Sequence, residues 1–550
     1  MEMLRTIGSQ IKEFKLPSVL TPLMMLLEVA MEMVIPLLMA SIIDQGVQAG
    51  DLGHIRRVGA QMLVIAVIGL AAGILGARFG ARASAGLARN LRQAMYENIQ
   101  TFSFSNIDRF STAGLITRLT TDVTNVQNAY MMLLRMFVRA PASLVVAMIM
   151  AFVISPRLAS IYLVAVLILS LILFLVMSRA MKYFRQVFRK YDDLNASVQE
   201  NVSAIRVVKA YVREDYENSK FRKACENIYR MFVSAEKIIS WNFPVMNATV
   251  YICILLISWL GAKMIVGGSL TTGELTSLLA YCMNILMSLM IVSMLFVMLS
   301  MSSASAERIA QVLNEKADLT DPADPVREVA DGSVVFRHVD FAYGKDAARP
   351  VLKDIDLSVA SGETIGILGG TGSAKSSLVN LISRLYDVTA GQVLVGGRDV
   401  REYEMEALRD QVAVVLQKNV LFSGTILENL RWGDPDPTLE DCQRVCRLAC
   451  ADEFIERMPE GYETRIEQGG ANVSGGQKQR LCIARALLKK RSEERRVGNE
   501  CRSRWSPYHS YEMNLCDWSS DVCSSDLASS RGAPTSPAGR SSGCALPGPC

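Results

Sequence analysis

Residues 364–385 open with Thr364-Ile365-Gly366-Ile367-Leu368, continue through Gly369-Gly370-Thr371-Gly372-Ser373-Ala374-Lys375-Ser376-Ser377, and close on an apolar run from Leu378 to Leu385. The first five residues predict a buried strand, the glycine-rich stretch a turn, and the remainder a helix. A strand that runs through such a turn into a helix aims backbone N–H groups and a helix N-terminus at one point, which is how phosphate is held. Lys375 then reaches the β and γ phosphates of a nucleotide, and the Ser376 hydroxyl is available to Mg²⁺. One position departs from the pattern G-x-x-x-x-G-K-[ST]: Ala374 stands where the second glycine belongs, and its Cβ is expected to crowd the loop.

Upstream, Val334-Val335-Phe336, Val339 to Tyr343 and Val351 to Leu357 alternate like strands with turns between them. Before these lies a Pro- and Asp-rich linker over 318–330, and before that an amphipathic helix over 304–316 that continues a long apolar segment. The chain therefore divides into residues 1–317, a linker to 331, and a phosphate-loop α/β domain over 332–490. Half of the 550 residues are hydrophobic and mean hydropathy is +0.24, more apolar than a soluble enzyme usually is. The net charge of +4 calls for no nucleic acid or acidic partner.

The first 317 residues read as a polytopic helical membrane domain. Apolar stretches long enough to cross about 30 Å of hydrocarbon fall near 18–42, 60–80, 131–153, 157–178, 243–266 and 274–300. The second and third, and the fourth and fifth, are separated by long basic connections, carrying Arg82, Arg89 and Arg118 in one and Lys182, Arg206, Lys209 and Arg222 among others in the second. The positive-inside rule places both connections, and both termini, in the cytoplasm. Residues 83–100 and 183–230 contain few Gly or Pro and predict helices that extend well beyond the membrane. Two punctuated pieces, 106–117 and 210–215, are expected at the hairpin tips. The first sixteen residues are mixed and charged, so the first membrane helix is expected to serve as its own signal.

Glu28 and Glu32 lie one turn apart inside the first apolar segment. Such groups face a wet cavity or pair with a basic residue, here Arg135 or Arg139. The methionines 283, 287, 290, 294 and 298 read as helix packing or as an adaptable binding surface. Cys442, Cys446 and Cys450 have helical spacing and are expected on one buried helix face rather than on a metal.

About a hundred residues after the phosphate loop comes Ser474-Gly475-Gly476-Gln477. With it the chain resembles the ATP-binding cassette (ABC) family over residues 1 to about 490, in its exporter branch. The resemblance implies that Tyr343 stacks on adenine and that Gln417, in Val415-Leu416-Gln417-Lys418, contacts Mg²⁺ and water. It implies that residues 369–377 bind the phosphates and that Ser474 to Gln477 is the signature closing over ATP bound to a second subunit. It makes 106–117 and 210–215 coupling helices, with Thr464 to Gly470 the loop that touches them. The implied protein is a dimeric half-transporter of a bacterial inner membrane, an ATPase using ATP and Mg²⁺ to export a small amphipathic compound or lipid, with membrane lipid and cargo as its other partners.

Hydrolysis further requires an apolar strand ending in Asp, a carboxylate that polarises water, and a His near the γ-phosphate. These belong just after Leu488, and no such pattern follows. Instead residues 491–509, RSEERRVGNECRSRWSPYH, and 521–527, DVCSSDL, resemble translated sequencing adapters; the stretch 491–550 holds five of the twelve cysteines and is expected to be foreign to the domain. The nucleotide-binding domain is thus expected to be truncated and the chain as written inactive. A membrane regulatory subunit that binds ATP without hydrolysing it is the second reading. A membrane-tethered phosphate-loop kinase is the third, disfavoured by Ser474 to Gln477.

Overall fold

The computed structural model describes residues 2–344 and 349–489. Its helices begin α1 (Glu2–Ser9), α2 (Lys15–Ser41), α3 (Leu52–Thr101), α4 (Phe104–Phe110), α5 (Thr112–Thr117) and α6 (Val123–Ile154), and continue α7 (Pro156–Ser203), α8 (Ile205–Ala210), α9 (Glu214–Ile239), α10 (Asn242–Val266) and α11 (Thr272–Asn314). Two compact units result, one of residues 2–101 and 110–316, the other of 102–109 with everything described from 317 onward.

In the first unit, six segments are long and apolar enough to cross a membrane: Lys12–Val47, Leu52–Thr101, Thr112–Ile154, Pro156–Ala180, Glu214–Val266 and Thr272–Leu295. Their shared core joins Val29 and Met33 to Ala147, Tyr162, Ile257, Leu278 and Tyr281. Around Pro36, α11 is tied to α2 by two hydroxyls: Tyr281 donates to the Met33 carbonyl at 2.7 Å and Ser277 to that of Pro36 at 2.6 Å. At the far end of α11, Arg308 clasps the buried Asp122 through two guanidinium nitrogens, Nε to Oδ2 at 2.7 Å and Nη2 to Oδ1.

The long helical extensions form, with corrections at their tips. The helix predicted over 183–230 breaks at Ala204 and again after Ala210, where Val212 takes φ +52°. The short helix of this tip is therefore α8, just before the expected 210–215. In the other hairpin, Ser111 at φ +55° divides residues 104–117 into α4 and α5 and caps α5 by accepting from the Gly114 amide. Met283, Met287 and Met294 are exposed, whereas Met290 packs on the core.

The second unit contains β1 (Val334–Phe341), β2 (Leu352–Val359), α12 (Lys375–Ile382), β3 (Ala390–Val395), β4 (Arg398–Asp399), α13 (Met405–Gln411), β5 (Gly424–Thr425), α14 (Ile426–Leu430), α15 (Leu439–Leu448), α16 (Asp452–Ile455), β6 (Arg465–Ile466) and α17 (Gly475–Leu488). The sheet is antiparallel in the order β2-β1-β3-β4. Residues 334–336 and 339–341, read as two strands, form one, with a register shift at His338, which has φ +47°. The sheet packs on α12 through Phe336, Phe341, Val393 and Leu381, while a separate helical core gathers Leu430, Cys446, Ile455 and Leu481.

The strand predicted over 364–368 does not form: these residues are irregular, Leu368 is 96% exposed, and residues 412–416 are irregular as well. A strand is held by ladder bonds to a neighbour, and among the described residues no segment pairs with either stretch. Cys442 and Cys446 are buried on α15, and burial pushes the Cys446 thiol up to about 12. Cys450 is not on that helix. It follows the helix end at φ +51°, where Ala451 N–H donates to Cys446 O at 2.8 Å and Cys450 N–H to Arg447 O at 3.1 Å, a left-handed C-terminal cap. The expected foreign stretch 491–550, and the expected lack of hydrolysis residues after Leu488, fall on residues from 490 onward, outside the described residues.

Candidate nucleotide-binding site

The helix after the glycine-rich loop begins at Lys375, three residues earlier than the apolar run alone predicts, and ends at Ile382. Gly372 at φ +85° and Ala374 at φ +62° both occupy the left-handed region. Alternation of this kind turns successive amides toward one concavity, an anion nest. Glycine visits that region freely; alanine does so at a cost of about 1 kcal/mol. The departure at Ala374 thus carries a backbone cost beside the expected crowding by its Cβ.

Lys375 folds back over the loop, its Nζ donating to Gly369 O at 2.8 Å and Gly370 O at 3.0 Å. Ser376 is exposed at the helix start, and Ser377 is buried beneath it. The Ser377 hydroxyl meets the Tyr343 hydroxyl at 2.7 Å, so the aromatic ring stands beside the phosphate loop, half exposed. The loop amides, the ammonium and the Ser376 hydroxyl suit a polyphosphate with a hard cation, which takes oxygen ligands. Gln417 is exposed in the irregular stretch after Leu416.

Sequence reasoning missed the residue that organises this corner. Tyr386 lies edge-on to Tyr343, with ring centroids 5.1 Å apart, and tilts against Phe341 and Phe104 at 5.7 and 6.0 Å. Its hydroxyl donates to Asp108 Oδ2 at 2.8 Å. Burial, followed by that hydrogen bond, raises its pKa, so the hydroxyl stays a donor. Nothing local to Leu385-Tyr386-Asp387 signals this role, because its ring neighbours come from residues distant in sequence. Asn106, buried in the same unit, accepts from Ser103 N–H at 3.1 Å and Asp318 N–H at 3.3 Å, and ties residues 102–109 to the linker.

The second motif sits in the helical core. Ser474 caps α17, accepting from the Gln477 amide at 3.3 Å while the Gln477 side chain accepts from the Ser474 amide at 2.9 Å. This reciprocal capping box leaves Gly475 and Gly476 at an open helix N-terminus, with no atom near where a Cβ would stand. Arg485 on the same helix donates through Nε to Asn429 O at 2.9 Å and through Nη2 to Asn429 Oδ1 at 3.0 Å, which fixes the helix against α14; burial lowers its pKa. The loop over 464–470 is anchored by Asn472, whose Nδ2 donates to Arg465 O at 2.8 Å, and leaves Glu467 and Gln468 exposed.

Two family models match the chain, one described as the ABC transporter transmembrane region, over residues 19–318, and one as ABC transporter, over residues 352–492. Among curated proteins, the uncharacterized ABC transporter ATP-binding protein YfiB of Bacillus subtilis is 36% identical over 482 residues, covering 88% of this chain and 84% of its own. The putative multidrug export ATP-binding/permease protein YgaD of the same organism is 32% identical, over 73% and 69% of the two chains. The ATP-dependent lipid A-core flippase of Desulfotalea psychrophila is 30% identical, over 74% and 71%.

Proposed function

The chain belongs to the ABC transporter family, and from that premise we propose that it is one half of a dimeric exporter that uses ATP to move small amphipathic compounds or lipids across a bacterial inner membrane. The observation that carries this is the fusion of six membrane-length helices to a phosphate loop and a signature-like helix N-terminus in one chain. The names of the multidrug and lipid A-core relatives support the cargo class. Residues 369–377 and Tyr343 hold the nucleotide, Ser376 and Gln417 offer oxygen ligands to Mg²⁺, and Ser474 to Gln477 faces the ATP of a second half-transporter, either another copy or a different subunit. Both termini are cytoplasmic, as the basic connections imply.

The nucleotide supplies the free energy of the transport cycle. What this chain's residues do is bind and orient it: the nest amides and Lys375 neutralise phosphate charge, and Tyr343 offers a stacking face beside them. Titration with a fluorescent ATP analogue tests this, with Lys375→Ala expected to lose binding and unchanged affinity counting against the site.

Hydrolysis by the chain as written is a separate matter. No apolar run ending in Asp follows Leu488 in the sequence, and residues 364–368 lack a sheet neighbour among the described residues. We infer that the 550-residue chain binds ATP without turning it over, which also suits a non-hydrolysing membrane regulatory subunit. Long-read sequencing across codon 490 separates the two. A frame that continues into such a strand, a carboxylate and a later His makes an active exporter, whereas a truly encoded tail leaves the regulatory role.

A further inference from the structure

α2, α3 and α6 border an open cavity of about 460 Å³ within the membrane-spanning half. Met31, Ile65 and Ile74 give it an apolar wall, and Glu28, Glu32, Arg135 and Arg139 line it as well. Gly73 leaves room beside the Glu28 carboxylate, since a Cβ there would lie 3.3 Å from it.

The four charges are not evenly paired. Arg139 Nη1 donates to Glu28 Oε1 at 3.0 Å and its Nη2 to Glu32 Oε2 at 3.0 Å, so one guanidinium serves both carboxylates. Arg135, one turn earlier on α6, lines the same cavity and meets no acceptor among the described residues; its Nε is covered by protein and unbonded. Its stem lies against the α3 backbone at Gly80, where a Cβ would stand 3.3 Å from Arg135 Cδ. An ionised donor at membrane depth is costly to leave unpaired, and a guanidinium is shaped to take a carboxylate or phosphate through two parallel hydrogen bonds. A cation finds no comparable place, since each carboxylate already has Arg139.

We propose that this cavity binds an amphiphile with an anionic headgroup, phosphate or carboxylate, which Arg135 anchors while the hydrocarbon chain lies along the apolar wall. The proposal names a substrate class within the exporter reading and rests on it for any role in transport. Binding itself does not depend on nucleotide.

The full chain in phosphatidylcholine nanodiscs, without nucleotide, is titrated with spin-labelled phosphatidic acid, spin-labelled stearic acid and, as control, spin-labelled phosphatidylcholine. Either anionic probe is expected to associate in preference to the control, and the stronger of the two identifies the headgroup. Arg135→Gln lowers that association about tenfold, the weight of one charge-assisted contact, and Arg135→Lys, which keeps the charge and loses the two-pronged geometry, restores only part of it. Glu32→Gln releases half of Arg139 and raises association, a gain that a merely structural role for these charges does not produce. Equal association with wild type and Arg135→Gln, or a control lipid that binds as well, overturns the proposal. So does displacement of the label by inorganic phosphate as effective as by dodecyl phosphate, since the apolar wall then contributes nothing. Preferential binding without ATP-driven movement of the same lipid in the sequence-completed protein sinks the exporter reading for this cargo and leaves the site. Movement that persists in Arg135→Gln sinks the site alone.

Discussion

The Tyr386 hydroxyl donates to Asp108 Oδ2 at 2.8 Å while the Tyr386 ring lies at 90° to that of Tyr343, so one side chain touches both the expected adenine-stacking residue and the segment 102–109. Tyr386→Phe keeps the ring contacts and removes one partly exposed hydrogen bond, at a cost of about 0.5–1 kcal/mol. Hydrogen exchange of residues 102–109 is expected to quicken accordingly, with nucleotide affinity unchanged. Unaltered exchange would show that Asp108 draws nothing from this bond.

Ala374 holds a conformation that glycine adopts freely. Ala374→Gly is expected to stabilise the loop by about 1 kcal/mol, less the greater chain freedom that glycine adds to the unfolded state, and to tighten phosphate binding several-fold. Thermal melts and titration with a fluorescent nucleotide check the two effects separately, and an unchanged affinity would mean that the nest is already fully formed with alanine.

Asp122 is 1% exposed and its partner Arg308 is half exposed. Asp122→Ala leaves the guanidinium without its buried acceptor and is expected to cost about 2–3 kcal/mol. The double variant with Arg308→Met should recover part of that loss. A double-mutant cycle in detergent reads the coupling, and additivity would deny that the pair acts as a unit.

His338 sits on the exposed face of the sheet, with Nδ1 2.9 Å from Asp354 Oδ1 and 3.2 Å from Asp356 Oδ2. The hydrogen bond to Asp354, then the charge of Asp356, raises its pKa above 6.5. A raised folded-state value means that the contribution to stability is complete below 6.5 and is lost as pH rises through the folded value. His338→Asn tolerates the left-handed backbone and should flatten this part of the stability profile. Melting temperature measured across that interval for both proteins decides it.

Much was legible in the chain because the signals are local. An apolar run of membrane length names a helix wherever it packs, since hydrocarbon leaves the backbone no other way to satisfy itself. The turn over 369–377 could be read because it is built from adjacent residues, with αL positions at 372 and 374; Ser474 to Gln477 was noticed by resemblance, and its capping box on α17 came only with the structure. The extension of α12 back to Lys375 and the Cys450 cap were missed at the level of single residues, where end geometry and not composition decides.

Pairing is what the sequence left open. Thr364 to Leu368 has the composition of a buried strand and is irregular, because β structure needs a neighbour and no local property supplies one. Which arginine answers Glu28 and Glu32 was likewise open, since Arg135 and Arg139 both lie one face along the same helix. Only the packing of α6 against α2 gave Arg139 to both carboxylates and left Arg135 facing the cavity. Residues 104, 108, 341, 343 and 386 are scattered along the chain, and their meeting is a tertiary fact. The sequence by itself determined the membrane-length helices and the residues of the glycine-rich loop; the tertiary structure decided the helix ends, the caps and the partners, because contact energies fall off over a few ångströms and only folding brings such residues within that range.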